Sequence, residues 1–163
     1  KLAWLNQHYL KTDDPEAVAG HLRWHVQAQG LDEAHGPRLA DLVVALRDRV
    51  KTLKEMAERA ALWYAPVSHW DEVAVEKNLR PGKTLVEAVG ARLRALQSWS
   101  PEAVHQALQE AAEELGVGIG KIAQPMRVAL TGGGVSPSID HTIYLCGQQG
   151  AMQRIDAALQ YLG

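Results

Sequence analysis

Four groups of residues in this chain have types and spacings that could do chemistry. His21 and His25 stand four apart, so one helix face would present both imidazoles to a metal ion, with His35 as the only obvious third ligand. Cys146 is the single thiol. It falls on an apolar stripe with Ile139 and Ile143, which favours packing over nucleophilic attack. Three basic clusters could meet an anion: "RDRVKTLK" (residues 47–54) carries four cations against one acid. "RPGKTLVEAVGARLR" (residues 80–94) carries four against one, and Lys121 and Arg127 have no acid before Asp140. Finally "GKIAQPMRVALTGGGVSPSID" (residues 120–140) combines two cations, an internal proline, a glycine triplet and Ser-Pro. Such a corner can hold a phosphate, read a base edge, or merely turn the chain.

The chemistry that these groups exclude narrows the field. There is no GxSxG elbow and no HExxH pair, and the histidines lack nearby thiols, so catalytic and metal readings are not favoured. A P-loop is excluded because its GxxxxGK order is missing. Five tryptophans could stack on bases. With no phenylalanine in the chain, most of them are expected in the core.

These residues must be positioned by helices. The 163 residues suffice for one domain or two small ones, and 47% hydrophobic against 22% charged is a globular balance. No run approaches the roughly 20 apolar residues of a membrane span. A lone cysteine suits a reducing, cytoplasmic setting. The chain opens at Lys1 directly on an amphipathic pattern, which reads as a piece of something longer. The net charge of −2 argues against a generally basic nucleic-acid binder, yet the clusters sit on an acidic background that includes four glutamates between Glu102 and Glu114.

Helical periodicity runs almost throughout. Asp14-Pro15 opens a helix with Val18, Leu22 and Val26 on one face, stopped by Gly30. A second carries Leu39, Leu42, Val43, Leu46 and Val50. "TLKE" is a capping box, Thr52 as N-cap and Glu55 at N3, opening a helix to about Tyr64. Pro66 breaks the pattern. A helix around residues 71–78 then leads through Pro81 to one with Leu85, Val89, Leu93 and Leu96, and Ser100-Pro101 starts the next. Pro125 is expected to break a helix, either ending a short turn or starting a new stretch. Ser136 and Pro137 are expected as N-cap and first residue of the helix with Ile139, where free amides could meet an anion. The expected fold is all-α, two small helical subdomains over 1–66 and 67–163.

Three stretches carry a resemblance: "KLAWLNQHYL", "GPRLADLVVALRDRVKTLKEMAERA" and above all "GIGKIAQPMRVALTGGGVSPSID". They resemble the C-terminal, anticodon-binding region of bacterial glutamyl-tRNA synthetases, across essentially the whole chain. The resemblance implies a cage of α-helices that reads the anticodon of tRNA(Glu), as a monomer without membrane attachment. It implies no cofactor in this region. ATP and Mg²⁺ would serve a preceding catalytic domain, whose HIGH-like and KMSKS-like motifs do not occur here, so this stretch alone would not charge tRNA. Arg49 would face the third anticodon base. Arg127, Ser136, Pro137 and Ile139 would meet the first two, with Ser136 and Ile139 standing where the family often has Thr and Leu. Gln109 replaces a family arginine. Lys51, Lys54, Arg92 and Arg94 would contact phosphate or be solvated.

Elementary hydrogen bonding supports the role of Arg49. Cytosine's pairing edge offers acceptors at N3 and O2 to a guanidinium, which only donates; guanine's offers donors at N1 and N2. The glutamate anticodon ends in C and the glutamine anticodon in G, so Arg49 suits a protein that discriminates between them. Three alternatives stand beside this: a non-discriminating relative that also serves tRNA(Gln), a helical protein–protein adaptor, and a small metal-dependent enzyme.

Overall fold

The computed structural model describes the backbone of residues 2–163 and the side chains of residues 7–163. Every regular element among the described residues is helical; they form ten α-helices and no strand. The chain divides into two compact units, Lys1–Pro66 and Val67–Gly163.

In the first unit α1 is Leu2–Thr12, α2 Pro15–Ala28, α3 Leu39–Leu46 and α4 Leu53–Tyr64. Val18, Leu22 and Val26 recur at four-residue steps and are fully buried, and α2 packs on both α3 and α4. Asp14 precedes Pro15 as expected, but its side chain makes no cap bond. Thr52 Oγ1 does cap α4, accepting from the Glu55 amide at 3.0 Å. Arg47 at the end of α3 donates to the Leu10 carbonyl at 2.9 and 3.0 Å and also to that of Asp13, satisfying orphan carbonyls at the end of α1. The Tyr64 hydroxyl donates to the Pro37 carbonyl at 2.7 Å, and burial, aided by Glu33, pushes its pKa up to about 12.

The second unit adds α5 (Glu72–Ala74), which widens into a π-turn over Val75–Leu79, then α6 (Lys83–Arg94), α7 (Pro101–Leu115), α8 (Ile119–Thr131), α9 (Ile139–Cys146) and α10 (Gln148–Leu162). The widening appears in the Arg80 amide, which bonds the Val75 carbonyl five residues back at 2.8 Å. On α6 the inward residues are Val86, Val89, Gly90 and Leu93; Leu85 is only half-buried and Leu96 lies beyond the helix.

Two expectations are corrected. Pro125 breaks nothing: α8 runs continuously through it. Proline leaves one carbonyl, that of Lys121, without its helical donor, but Lys121 is exposed and water can serve it. The ring is buried against Gly82, where a Cβ would sit 2.5 Å from Pro125 Cγ, so the glycine makes the room that the proline occupies. The other correction is α10, which the patterning had not singled out. Its Ala151, Met152, Ile155 and Ala158 close the core, and its polar residues finish neighbouring helices. Gln148 Nε2 donates to the Leu93 and Leu96 carbonyls at 2.9 and 3.0 Å, and Arg154 donates to the Leu130 carbonyl at 2.8 Å.

The tryptophans divide. Trp63 is buried, Trp70 stacks on Tyr161 with ring centroids 4.8 Å apart, and Trp99 donates to the Tyr144 carbonyl. Trp24 is 68% exposed, and the side chain of Trp4 lies outside the described residues. No helix among the described residues is long and apolar enough to cross a membrane.

Candidate nucleic-acid interface

The glycine–serine corner of the second unit is built on α8. Gly132 ends that helix with φ +82 and its carbonyl accepts from the Asp71 amide at 2.8 Å. Thr131 Oγ1 bonds the Arg127 and Gly133 carbonyls and also the Gly133 amide, which pins the start of the loop. Arg127 then reaches across it. Its Nε donates to Ser136 Oγ at 3.1 Å, one terminal nitrogen to Gln124 Oε1 at 3.1 Å and the other to the Pro137 carbonyl at 3.2 Å. The structure therefore brings Arg127, Ser136 and Pro137 together, with Ile139 on the next turn.

The same bonds correct the expected helix start. Ser136 is not the N-cap: α9 begins at Ile139 with Ser138 before it, and Ser138 makes no side-chain bond to a helical amide. Because Arg127 holds the Ser136 hydroxyl and the Pro137 carbonyl, residues 136–138 stay outside the helix, which starts two residues later than the Ser-Pro pattern implies. Nor is this helix end an open anion site. Asp140 already lies in its first turn and accepts from the His141 amide at 2.9 Å. Burial alone would raise the Asp140 pKa, but bonds from the Ser138 hydroxyl and His141 amide, with the nearby His141 and His105 rings, outweigh it and hold the carboxyl low.

Sequence reasoning missed the residue at the centre of this corner. Thr142 is fully buried, and its Oγ1 lies 2.9 Å from Ser136 Oγ, 3.1 Å from the Pro137 carbonyl and 3.0 Å from the Ser138 carbonyl. The available signal was a hydroxyl standing among the apolar residues of "IDHTIYLC". Thr142→Val keeps the shape and removes the hydroxyl, so it is expected to cost about 1–3 kcal/mol of stability. Thr142→Ser should recover most of that in urea titrations. A loss in Thr142→Ser with none in Thr142→Val would mean the methyl group matters, not the bond.

Pro137 and Ile139 face inward, Ile139 being only 7% exposed. What the corner turns outward is Val135, at 85%, beside two glycines. Cys146 is a packing residue whose hydroxyl-like donor role is local: its Sγ donates to the Thr142 carbonyl, and burial pushes the thiol up to about 11.

The remaining cations sort by partner. Arg92 pairs with Glu110 and Glu114 of α7, and Arg94 with Asp156 of α10 at 3.1 Å. In the first unit Arg23 pairs with Glu33, Arg38 with Glu16 and Arg59 with Glu55. Arg80 pairs with Glu76, and Arg47, Arg127 and Arg154 bond carbonyl or side-chain oxygens as described. Arg49 differs. It is exposed, and alone among the arginines its guanidinium has no partner among the described residues. Lys51 and Lys54 are likewise exposed, without an ion pair among the described residues. His21 and His25 are engaged edge-on by Tyr9 and Trp24, and His35 bonds Asp32 at 2.8 Å.

The first unit thus presents an exposed guanidinium without an ion pair among the described residues, and the second a hydrogen-bonded loop corner. Residues 15–159 match the family model described as "Anticodon binding domain". The chain belongs to that family. This anticodon-binding domain is 53% identical over its whole length to a glutamate–tRNA ligase of Xanthomonas campestris pv. campestris (strain B100), of which it covers 35%. It is 51% identical over 98% of its length to the glutamate–tRNA ligase of Xylella fastidiosa (strain M23), covering 34% of that protein. The domain thus spans about a third of the length of these curated relatives. In fold it is similar to the crystal structure of a glutamate tRNA ligase from Elizabethkingia meningosepticum in complex with its amino acid. That match has a TM-score of 0.84 at 20% identity and covers 99% of this chain and 32% of that one.

Proposed function

We propose that this domain reads the anticodon of tRNA(Glu) as the C-terminal part of a cytoplasmic, monomeric glutamate–tRNA ligase of the discriminating kind. The observation that carries the reading is Arg49. Nine of the ten arginines are spent on the protein's own oxygens, while Arg49 is held out to solvent just before the start of α4. An unshared guanidinium is suited to the acceptors on a cytosine edge, and it would leave guanine's donors unanswered.

In this reading the third anticodon base meets Arg49. The first two meet the corner formed by Arg127, Ser136, Pro137 and Ile139. Arg127 is divided between shaping and reading. Its bonds to Ser136 and Pro137 set the corner, so a base must add to them or replace the Gln124 bond. Phosphate contact is best supported for Lys51 and Lys54. Arg92 and Arg94 would have to leave carboxylates to take one up. ATP and Mg²⁺ belong to the catalytic part of the parent enzyme, where they would activate glutamate. The residues present here do not fit them, since neither ATP motif stands in the chain.

Binding of fluorescent tRNA(Glu) and tRNA(Gln) over a range of salt concentrations tests the function. The expected result is tighter binding of tRNA(Glu), weakening with salt at a log–log slope of about −0.7 per single-strand phosphate contacted. Equal affinity for both tRNAs with a flat salt dependence would be the signature of the protein–protein adaptor.

A further inference from the structure

The first unit contains a groove of about 430 Å³ lined by Tyr9, His21, His25, Thr52, Leu53 and Lys54. We propose that this groove is a nucleobase pocket, which takes the loop base adjoining the one that meets Arg49. The proposal rests on the anticodon reading above and extends it to a nucleotide outside the triplet.

Size, lining and charge agree. Pockets for small ligands span about 300–1,000 Å³ and present apolar and aromatic walls with a few polar groups. Here the walls are rings already set by their neighbours: Tyr9 and His21 meet edge-on with centroids 5.6 Å apart, and His25 meets Trp24 at 5.0 Å. Trp24 itself remains two-thirds exposed, a large indole left at the surface beside a groove residue. Single-stranded nucleic acid binds by combining such stacking faces with unneutralised cations. Lys54 supplies a cation inside the groove, and Lys51 and Arg49 stand on the same short stretch, all three without an acid partner among the described residues. Arg49 lies three residues before Thr52, so their Cα atoms are at most about 11 Å apart. A base read by Arg49 therefore delivers its neighbour to the groove. A metal site fits less well, because no third His, Cys, Asp or Glu joins the two histidines among the described residues.

The test uses the 163-residue chain and tRNA(Glu) anticodon stem-loops, intact or with one loop base at a time replaced by an abasic sugar. His21 and Lys54 are exposed, so His21→Ala and Lys54→Gln should fold normally, checked by circular dichroism. His21→Ala is expected to weaken the intact loop about five- to hundred-fold. That loss should vanish only against the loop lacking the base next to the third anticodon position. Lys54→Gln should weaken every loop and flatten the salt dependence. If both variants bind the intact loop like wild type while Arg49→Ala does not, the groove holds no base and this inference fails alone. If Arg49→Ala also binds like wild type, the anticodon reading fails with it. A loss in His21→Ala that is the same for every abasic loop also overturns the pocket.

Discussion

Replacing Gly132 by alanine should destabilise the Val67–Gly163 unit by about 2–5 kcal/mol. Two independent costs add. Gly132 has φ +82, a left-handed conformation that costs an L-residue roughly 1–2 kcal/mol. A Cβ there would also stand 2.2 Å from the His69 carbonyl oxygen and 3.2 Å from Val67 Cγ1. The valine methyl can shift, but the oxygen is backbone and cannot rotate away, so overpacking adds about 1–3 kcal/mol. The Gly132 carbonyl also receives the Asp71 amide, and Asp71 caps α5 at the Ala74 amide, so the displacement spreads to a second element. The melting temperature should fall by at least about 8 °C, given about 4–8 °C per kcal/mol in a unit of this size. Gly133→Ala is the matched control. Nothing lies within 4 Å of its added Cβ and its φ is not positive, so stability should stay within about 0.5 kcal/mol. Equal effects at the two positions would show that the glycine run serves flexibility and not this close approach.

The second large effect is on selectivity. Arg49→Ala should leave stability within about 0.5 kcal/mol, because the side chain is exposed and touches no described partner. It should nevertheless remove about 1–3 kcal/mol of preference for an anticodon loop ending in C over one ending in G. That corresponds to roughly 5- to 150-fold in relative affinity. The sign follows from hydrogen-bond inventory. Wild type satisfies N3 and O2 of cytosine with N–H donors, whereas guanine turns its own donors toward the same fork. Arg49→Lys should recover only part of the preference, because an ammonium donates as a point and lacks the planar fork. Competition binding with the two stem-loops measures this directly. Unchanged selectivity in Arg49→Ala would assign discrimination to other residues.

Much of this molecule was legible from residue pattern, and the reasons are local. Thr52 and Ser100 carry their cap bonds where the spacing put them, since an N-cap is decided within four residues. The face of α2 follows from three apolar residues at four-residue steps. What was not legible depends on partners far away in sequence. Pro125 is tolerated because Gly82, forty-three residues earlier, leaves space for its ring. Ser136 is diverted from capping by an arginine nine residues back and a threonine six ahead. The pairing of Arg92 and Arg94 with α7 and α10 likewise could not be read from a local count of charges. Nor could pattern tell which tryptophan would be the exception to an aromatic core, and it is Trp24 that stands exposed.

The family resemblance pointed to Arg49, and the structure adds a physical reason: its exposed guanidinium makes no ion pair among the described residues. It supplies no equally direct reason for Pro137 or Ile139, which face the interior of their unit. In the proposed reading they contribute to base recognition only through the shape that Arg127 and Thr142 impose on the corner.

The proposal that a tRNA anticodon loop is bound by the Arg49 segment and by the Ser136–Ile139 corner is the central one. A chemical-shift titration of the labelled chain with tRNA(Glu) anticodon stem-loops, identical except for C or G at the third anticodon position, tests it most directly. The account predicts that the C-ending loop shifts resonances of Arg49 to Lys54 and of Arg127 to Ile139 together, with one common affinity. The G-ending loop should bind more weakly and lose chiefly the Arg49 shifts. Shifts confined to one of the two segments, or identical titrations for the two loops, would contradict it.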